Sequence, residues 1–286
     1  MIYTLKSENT VAKISSRGAE LISLEVEGRE LMWQGESWSS HAPILFPVCG
    51  KLKGSKYSYG NVEYSLPGHG FAGKREFFLI KSTDSSVELM LTSDKETLDI
   101  YPFYFCLKAT YTLEGSSLKA SFRVENMSSV QMPYMFGWHP GFNLPGEMPL
   151  SSYSVKFENA NNVEIHPLRP GTPFISEEIL PYPLKDGCYD LCEEEIYRED
   201  TLILTGTGTK SEIICRESDF SLTLEYSENL PYFCIWKYPD SQSRFICLEP
   251  WTDTPANGLD DEVFESRKMQ RLESGRSELY EYKILF

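Results

Sequence analysis

Apolar and polar side chains alternate with a period of two along most of this chain. Between positions 118 and 126, Leu118, Ala120, Phe122 and Val124 hold one parity while Lys119, Ser121, Arg123 and Glu125 hold the other. Such alternation marks an antiparallel strand with one face in a core. Stretches 87–91, 103–113 and 221–226 have the same character, and apolar runs at 201–204, 212–216, 231–236, 245–251 and 279–286 read as further strands. No segment of comparable length repeats at helical spacing, so the pattern predicts an all-β protein. Glycines punctuate it: Gly18, Gly28 and Gly35 separate the early runs, and Gly60-Asn61 predicts a hairpin between two tyrosine-containing strands.

The breaks in the pattern are as informative as the pattern. Positions 42–50 are apolar but carry Pro43 and Pro47, which a central strand does not accept, so a loop packed across a sheet face is expected there. Eight of the 17 prolines fall between Pro140 and Pro183, predicting an excursion over the surface with little regular sheet. Three ionisable groups stand at such breaks. His139 follows the strand-like run 132–138 and precedes Pro140-Gly141. His69 is bounded by Gly68 and Gly70, and Glu249 ends a run of four apolar residues. A carboxylate in that setting is costly unless it is paired, hydrogen-bonded or used. His41 and His166 have no such setting and read as structural or solvated.

The net charge of -15 opposes phosphate backbones and anionic lipid surfaces, which argues against nucleic-acid and membrane partners. No run approaches the ~18 apolar residues that cross a bilayer, and the N-terminus has no signal pattern, so a cytoplasmic protein is expected. Seven cysteines, an odd number set mostly in apolar strands, read as buried reduced thiols. Cys188 and Cys192 lack further ligands at zinc spacing, and no metal site is expected. The acidic run Glu193-Glu194-Glu195 reads as a solvated face. With no linker, repeat or composition shift, residues 1–286 are expected to form a single domain.

Two imidazoles and one carboxylate suit proton transfer to and from oxygen near neutral pH. No nucleophile elbow, phosphate loop or metal-binding spacing accompanies them, so the expectation is an acid/base enzyme without a cofactor.

Six stretches, in this order, carry a resemblance: Gly18-Ala19-Glu20-Leu21, Leu31-Met32-Trp33-Gln34-Gly35, Pro43-Ile44-Leu45-Phe46-Pro47, His69-Gly70-Phe71-Ala72, Gly137-Trp138-His139-Pro140 and Leu248-Glu249-Pro250-Trp251. Together they resemble the aldose 1-epimerases, or galactose mutarotases, in their shorter bacterial branch. The resemblance implies a β-supersandwich with a sugar cleft. It implies that Glu249 is the general base at the anomeric hydroxyl, that His139 is the general acid at the ring oxygen and that His69 binds the sugar near that oxygen. Asp200 resembles a carboxylate that contacts sugar hydroxyls. Two positions depart from the family, which usually has arginine where this chain has Gly73 and Lys51; Lys51 is then the expected substrate-binding cation. Relatives acting on hexose 6-phosphates use arginines for the phosphate, so the departure favours a free aldose. A hexose-6-phosphate mutarotase and a non-catalytic carbohydrate-binding protein are the alternatives, and the sequence leaves monomer and homodimer open. The chemistry further requires the imidazole of His139 and the carboxylate of Glu249 to face one cleft, expected to be roughly a pyranose wide between them.

Overall fold

A computed structural model describes residues 1–146, 148–191, 201–239 and 243–286. Its strands pair antiparallel into two large sheets and several small ones. The nine-stranded sheet runs from Cys188–Asp190 at one edge through Tyr153–Phe157, Lys210–Cys215, Ser221–Tyr226, Ser277–Leu285, Ser117–Asn126, Phe105–Leu113 and Ser86–Thr92 to Phe78–Ser82 at the other. The eight-stranded sheet has Phe245–Trp251 near its middle, between Tyr232–Trp236 on one side and both Gly137–Trp138 and Gly141–Asn143 on the other. Ile2–Ser7, Thr10–Ser15, Leu21–Val26 and Arg29–Glu30 form a four-stranded sheet beside them.

The two large sheets face each other across one aromatic core, the β-supersandwich that the motifs implied. Tyr280 stacks on Phe136 with centroids 4.7 Å apart, Tyr282 packs edge-on to Trp138 at 5.3 Å, and Phe157 meets Phe233 at 5.1 Å. The Tyr282 hydroxyl crosses the layer to donate to the Pro250 carbonyl at 2.9 Å, so a buried polar group is satisfied where the sheets meet. Strand 117–126 supplies Phe122 to this core and turns Lys119, Ser121, Arg123 and Glu125 outward, as the alternation required.

Three local expectations change. Within 42–50, Ile44–Leu45 is a two-residue edge strand paired with Gly137–Trp138; the prolines flank it, where no ladder bond is lost. Within the proline-rich stretch, Tyr153–Phe157 is an interior strand of the nine-stranded sheet, because the prolines cluster on either side of it. Among the described residues there is one α-helix, Lys95–Ile100, which opens on a capping box in which Asp94 accepts from the Thr97 N–H; at six residues it is too short for a periodicity to reveal. No helix among the described residues is long and apolar enough to cross a membrane. Asp200, Cys192 and Glu193-Glu194-Glu195 lie outside the described residues.

Candidate active site

The carboxylate of Glu249 is carried by Phe245–Trp251, a strand buried along its whole length. On the neighbouring side the chain pairs Gly137 with Trp251, leaves the ladder, and pairs again at Gly141 with Cys247. His139 falls in that gap. Its neighbour Trp138 points into the core between the sheets, so His139 points the other way. His139 Nε2 and Glu249 Oε1 are 3.2 Å apart.

Two stretches of the N-terminal half, around Glu20 and Pro43, act as a brace for this gap. The Glu20 carboxylate accepts the backbone N–H groups of His41 at 2.6 Å and Ala42 at 3.0 Å. That fixes a loop whose Pro43 carbonyl accepts from His139 N–H at 3.1 Å and whose His41 carbonyl accepts from Gly141 N–H at 2.8 Å. The Trp138 indole donates to the Ala42 carbonyl at 2.9 Å. His41 itself donates from Nδ1 to the Trp33 carbonyl, and His166 meets Thr205 Oγ1 at 3.3 Å, so both are structural, as expected.

His69 sits on a loop in a left-handed conformation, with φ of 61°. Gly70 follows with φ of 72°, and a Cβ there would lie 2.1 Å from the Phe46 carbonyl oxygen. The Gly50 N–H donates to His69 Nδ1 at 3.2 Å. An imidazole that accepts at Nδ1 carries its proton at Nε2 when neutral, and that N–H is left for a ligand. The His69 ring meets His139 edge-on at 5.7 Å.

These groups open onto a cleft of about 740 Å³, walled by Trp38 and Trp236 and closed on one side by the segment Leu168 to Pro173. Trp38 and Trp236 pack on the His139 ring at 5.0 and 5.6 Å and present the aromatic surface that small-molecule sites commonly use. Neither was marked by the sequence: Trp38 lies in a short polar run, and Trp236 reads as one more strand residue. Lys51 lines the cleft, and so do Lys74, from the pair Lys74-Arg75 that follows Gly73 where the family has arginine, and Arg169, which the motifs did not single out. Arg75, by contrast, turns away to pair with Glu96. Thr201, the first described residue after Asp200, also lines the cleft.

Burial controls the titration of the pair. It pushes the Glu249 carboxyl well above its ordinary value, partly offset by hydrogen bonding from Trp251 and Cys234. It pulls His139 well below the ordinary histidine value, and His69 adds to that effect. His69 is lowered to about 4, by burial first and then by the charges of Lys51 and Lys74. Neither oxygen of Glu249, nor Nδ1 of His139, makes a well-aligned hydrogen bond with a described residue. Buried polar atoms left this way cost stability and stand ready for a ligand. His139, Cys247 and Glu249 also bring one ligand atom each within 4.8 Å of one another. The Cys247 thiol is pushed well up by burial and then by Glu249, so a metal there would have to displace a tightly held proton.

The expectation that a pyranose width separates acid from base is corrected: they touch. The physical reason is sheet register: Gly137 pairs with Trp251 and Gly141 with Cys247, which sets residue 139 directly opposite residue 249.

Two large antiparallel sheets, with a buried carboxylate and imidazole meeting on the floor of one cleft, define a galactose mutarotase-like fold. The aldose 1-epimerase family model matches residues 1–284, and the chain belongs to that family. It is 30% identical over 281 residues to the plasmid-encoded protein LacX of Lactococcus lactis subsp. lactis, covering 93% of each chain. It is also similar to the structure of a galactose mutarotase related enzyme from Lactobacillus acidophilus, at 28% identity, a TM-score of 0.92, and 100% and 97% of the two chains covered. A galactose mutarotase-like protein from Lactobacillus casei ATCC 334 superimposes with a TM-score of 0.93 at 27% identity, covering 100% and 99%.

Proposed function

We propose that this protein interconverts the α and β anomers of an aldose by opening and reclosing the pyranose ring. The observation that carries the reading is the contact of two buried, incompletely satisfied groups, His139 and Glu249, on the floor of an open cleft.

At neutral pH burial favours an uncharged pair, a neutral imidazole beside a protonated carboxyl. Moving that one proton across the contact gives imidazolium and carboxylate, which hold the same number of protons. A sugar favours this second form, because its O1–H can donate to the carboxylate while its ring oxygen accepts from His139 Nε2–H. Glu249 then takes the O1 proton as His139 delivers one to the ring oxygen. The bond from C1 to the ring oxygen breaks as the C1 carbonyl forms. Rotation about C1–C2 and reclosure, with the two groups exchanging roles, produce the other anomer. The reaction balances with protein groups alone, and each positioned transfer typically contributes ~10²–10⁴-fold.

The neutral His69 is assigned as a donor, through Nε2–H, to the sugar near its ring oxygen. Asp200 is assigned to sugar hydroxyls on family likeness. A small sugar is thus the partner, and the charge of -15 disfavours nucleic acid and anionic membranes. The test is polarimetry or NMR exchange across free and 6-phosphorylated aldoses. Equilibration faster than buffer is expected for at least one sugar. No acceleration for any, together with retained sugar binding, would leave a carbohydrate-binding protein on this fold.

A further inference from the structure

Gly137 and Trp251 belong to motifs whose role the contact of His139 with Glu249 leaves open. Gly137 stands two positions before His139 and Trp251 two positions after Glu249, and the two are paired across the sheet. Residues two apart on a strand share a face, so the Trp251 side chain lies on the same face as the Glu249 carboxylate and the His139 imidazole. It lines the cleft with them and is 3% exposed.

The glycine makes the space for that indole. A Cβ on Gly137 would come 2.5 Å from Trp251 Cδ1 and 3.1 Å from Nε1, so a side chain there would displace the edge of the ring that carries the N–H. The His69 ring meets the indole edge-on at 6.0 Å. Trp251 Nε1 is buried and makes no well-aligned hydrogen bond with a described residue, and both Glu249 oxygens are in the same condition. An indole nitrogen only donates, and a carboxylate only accepts. The two are close enough to act on each other: burial raises the Glu249 carboxyl, and Trp251 is the first group to oppose it, ahead of Cys234. Cys234 stands directly opposite Glu249 on the other neighbouring strand.

The other described groups around the carboxylate leave this role to the indole. The Cys247 and Cys49 thiols and the Tyr282 hydroxyl are all pushed well up by burial first, with the charge of Glu249 among the further causes, so they keep their protons at neutral pH. His69 stays neutral down to about 4, and His139 is the partner in the contact itself. We propose that Trp251 is the positioning residue of the base: its indole N–H donates to the Glu249 carboxylate as the charge forms and holds it toward the anomeric hydroxyl. This rests on the epimerase reading. An uncharged donor suits the task, because a lysine or arginine in its place would fix a permanent ion pair and leave the carboxylate too weakly basic to accept a proton.

Trp251→Phe keeps an aromatic ring and removes the N–H. Site-specific replacement of Trp251 by benzothienylalanine removes it with the size of the ring kept, and unchanged thermal midpoints show that folding is intact. The Glu249 carboxyl is titrated in the free enzyme by infrared difference spectroscopy, assigned against Glu249→Gln. The pH profile of kcat/KM, which reports groups of the free enzyme, is measured beside it. Without the N–H the charged form is less stable, so the titration and the alkaline limb should both move up by about one pH unit, the scale of one hydrogen bond to a charged group. The acid limb, where the carboxyl already holds its proton, should stay in place. Plateau kcat/KM should fall about threefold to tenfold, giving a slower enzyme with a wider plateau, which lost packing does not produce. An unmoved titration and alkaline limb in the benzothienylalanine variant would overturn the inference; a rise in KM alone would then assign the N–H to the sugar. Exchange of no sugar by wild type would overturn the epimerase reading, while the carboxyl titration, which needs no substrate, would still decide whether the indole holds the carboxylate.

Discussion

His139 and Glu249 stand opposite each other on neighbouring segments of one sheet: the paired positions Gly137 with Trp251 and Gly141 with Cys247 bracket them symmetrically. Residues opposite each other across an antiparallel pair project to the same face, so the register itself sets the imidazole against the carboxylate. The contact between imidazole and carboxylate is thereby built from sheet register, which packing holds far more rigidly than a loop would.

Glu249→Gln keeps the shape of the site and removes the carboxylate proposed as the base. Anomer interconversion should fall by ~10²–10⁴-fold, the usual contribution of a positioned proton transfer. Sugar binding, read by calorimetry, should survive. Full-rate mutarotation of freshly dissolved α-galactose, α-glucose or the preferred sugar by this variant would mean that another group is the base.

The pH profile should belong to the pair rather than to either residue. The working form holds one proton. On the acid side a second proton must enter His139, whose affinity for it is depressed, so that limb lies below the ordinary histidine value of 6.5. On the alkaline side the single proton must leave, and the raised Glu249 moves that limb above the carboxylate value of 4.5. His69 stays neutral down to about 4 and does not blur the plateau. A plateau of kcat/KM whose acid limb lies below the ordinary histidine value is expected; an acid limb centred at that value would contradict the shared proton.

Gly70 and Gly28 allow steric cost to be separated from backbone cost. Both have positive φ, of 72° and 79°, but a Cβ at Gly28 meets nothing within 4 Å, whereas at Gly70 it would meet the Phe46 carbonyl oxygen at 2.1 Å. Gly28→Ala should therefore cost only about 1–2 kcal/mol of left-handed strain. Gly70→Ala should cost on the order of 3 kcal/mol or more and displace His69. Urea unfolding of the two variants, with mutarotation assayed beside it, measures the difference; equal losses would mean that the loop yields freely.

Asp253 is a buried carboxyl outside the proton-transfer pair, raised from 3.8 to about 6 mainly by burial. The folded state then holds its proton more tightly than the unfolded chain. Its contribution is complete below pH 3.8 and is lost as pH rises through about 6. Asp253→Asn removes that dependence. Relative to wild type, the variant should gain on the order of 1–3 kcal/mol between acidic and neutral pH. Thermal midpoints of both proteins at several pH values test this, and a difference that does not vary with pH would refute it.

Much of the site was legible because its signals are local. Proline and glycine at a strand end mark His139 and His69, and a charge closing an apolar run marks Glu249, whatever the rest of the chain does. Lys74 and Arg169 carried no such mark: one follows a familiar motif by a residue or two, and the other sits in a proline-rich stretch that reads as surface. Tyr153–Phe157 was hidden in that stretch for the same reason, its short alternation being outweighed by its flanks.

By itself the sequence determined that this is a sheet protein, where its strands break, and which ionisable groups stand at the breaks, since alternation and backbone restriction act within a few residues. Only the tertiary structure decided that the imidazole and the carboxylate touch, and that three cations from separate loops border the same cleft. Those are facts of strand order and loop anchoring between distant segments, and no local pattern encodes the distance between side chains that the folded sheet brings together.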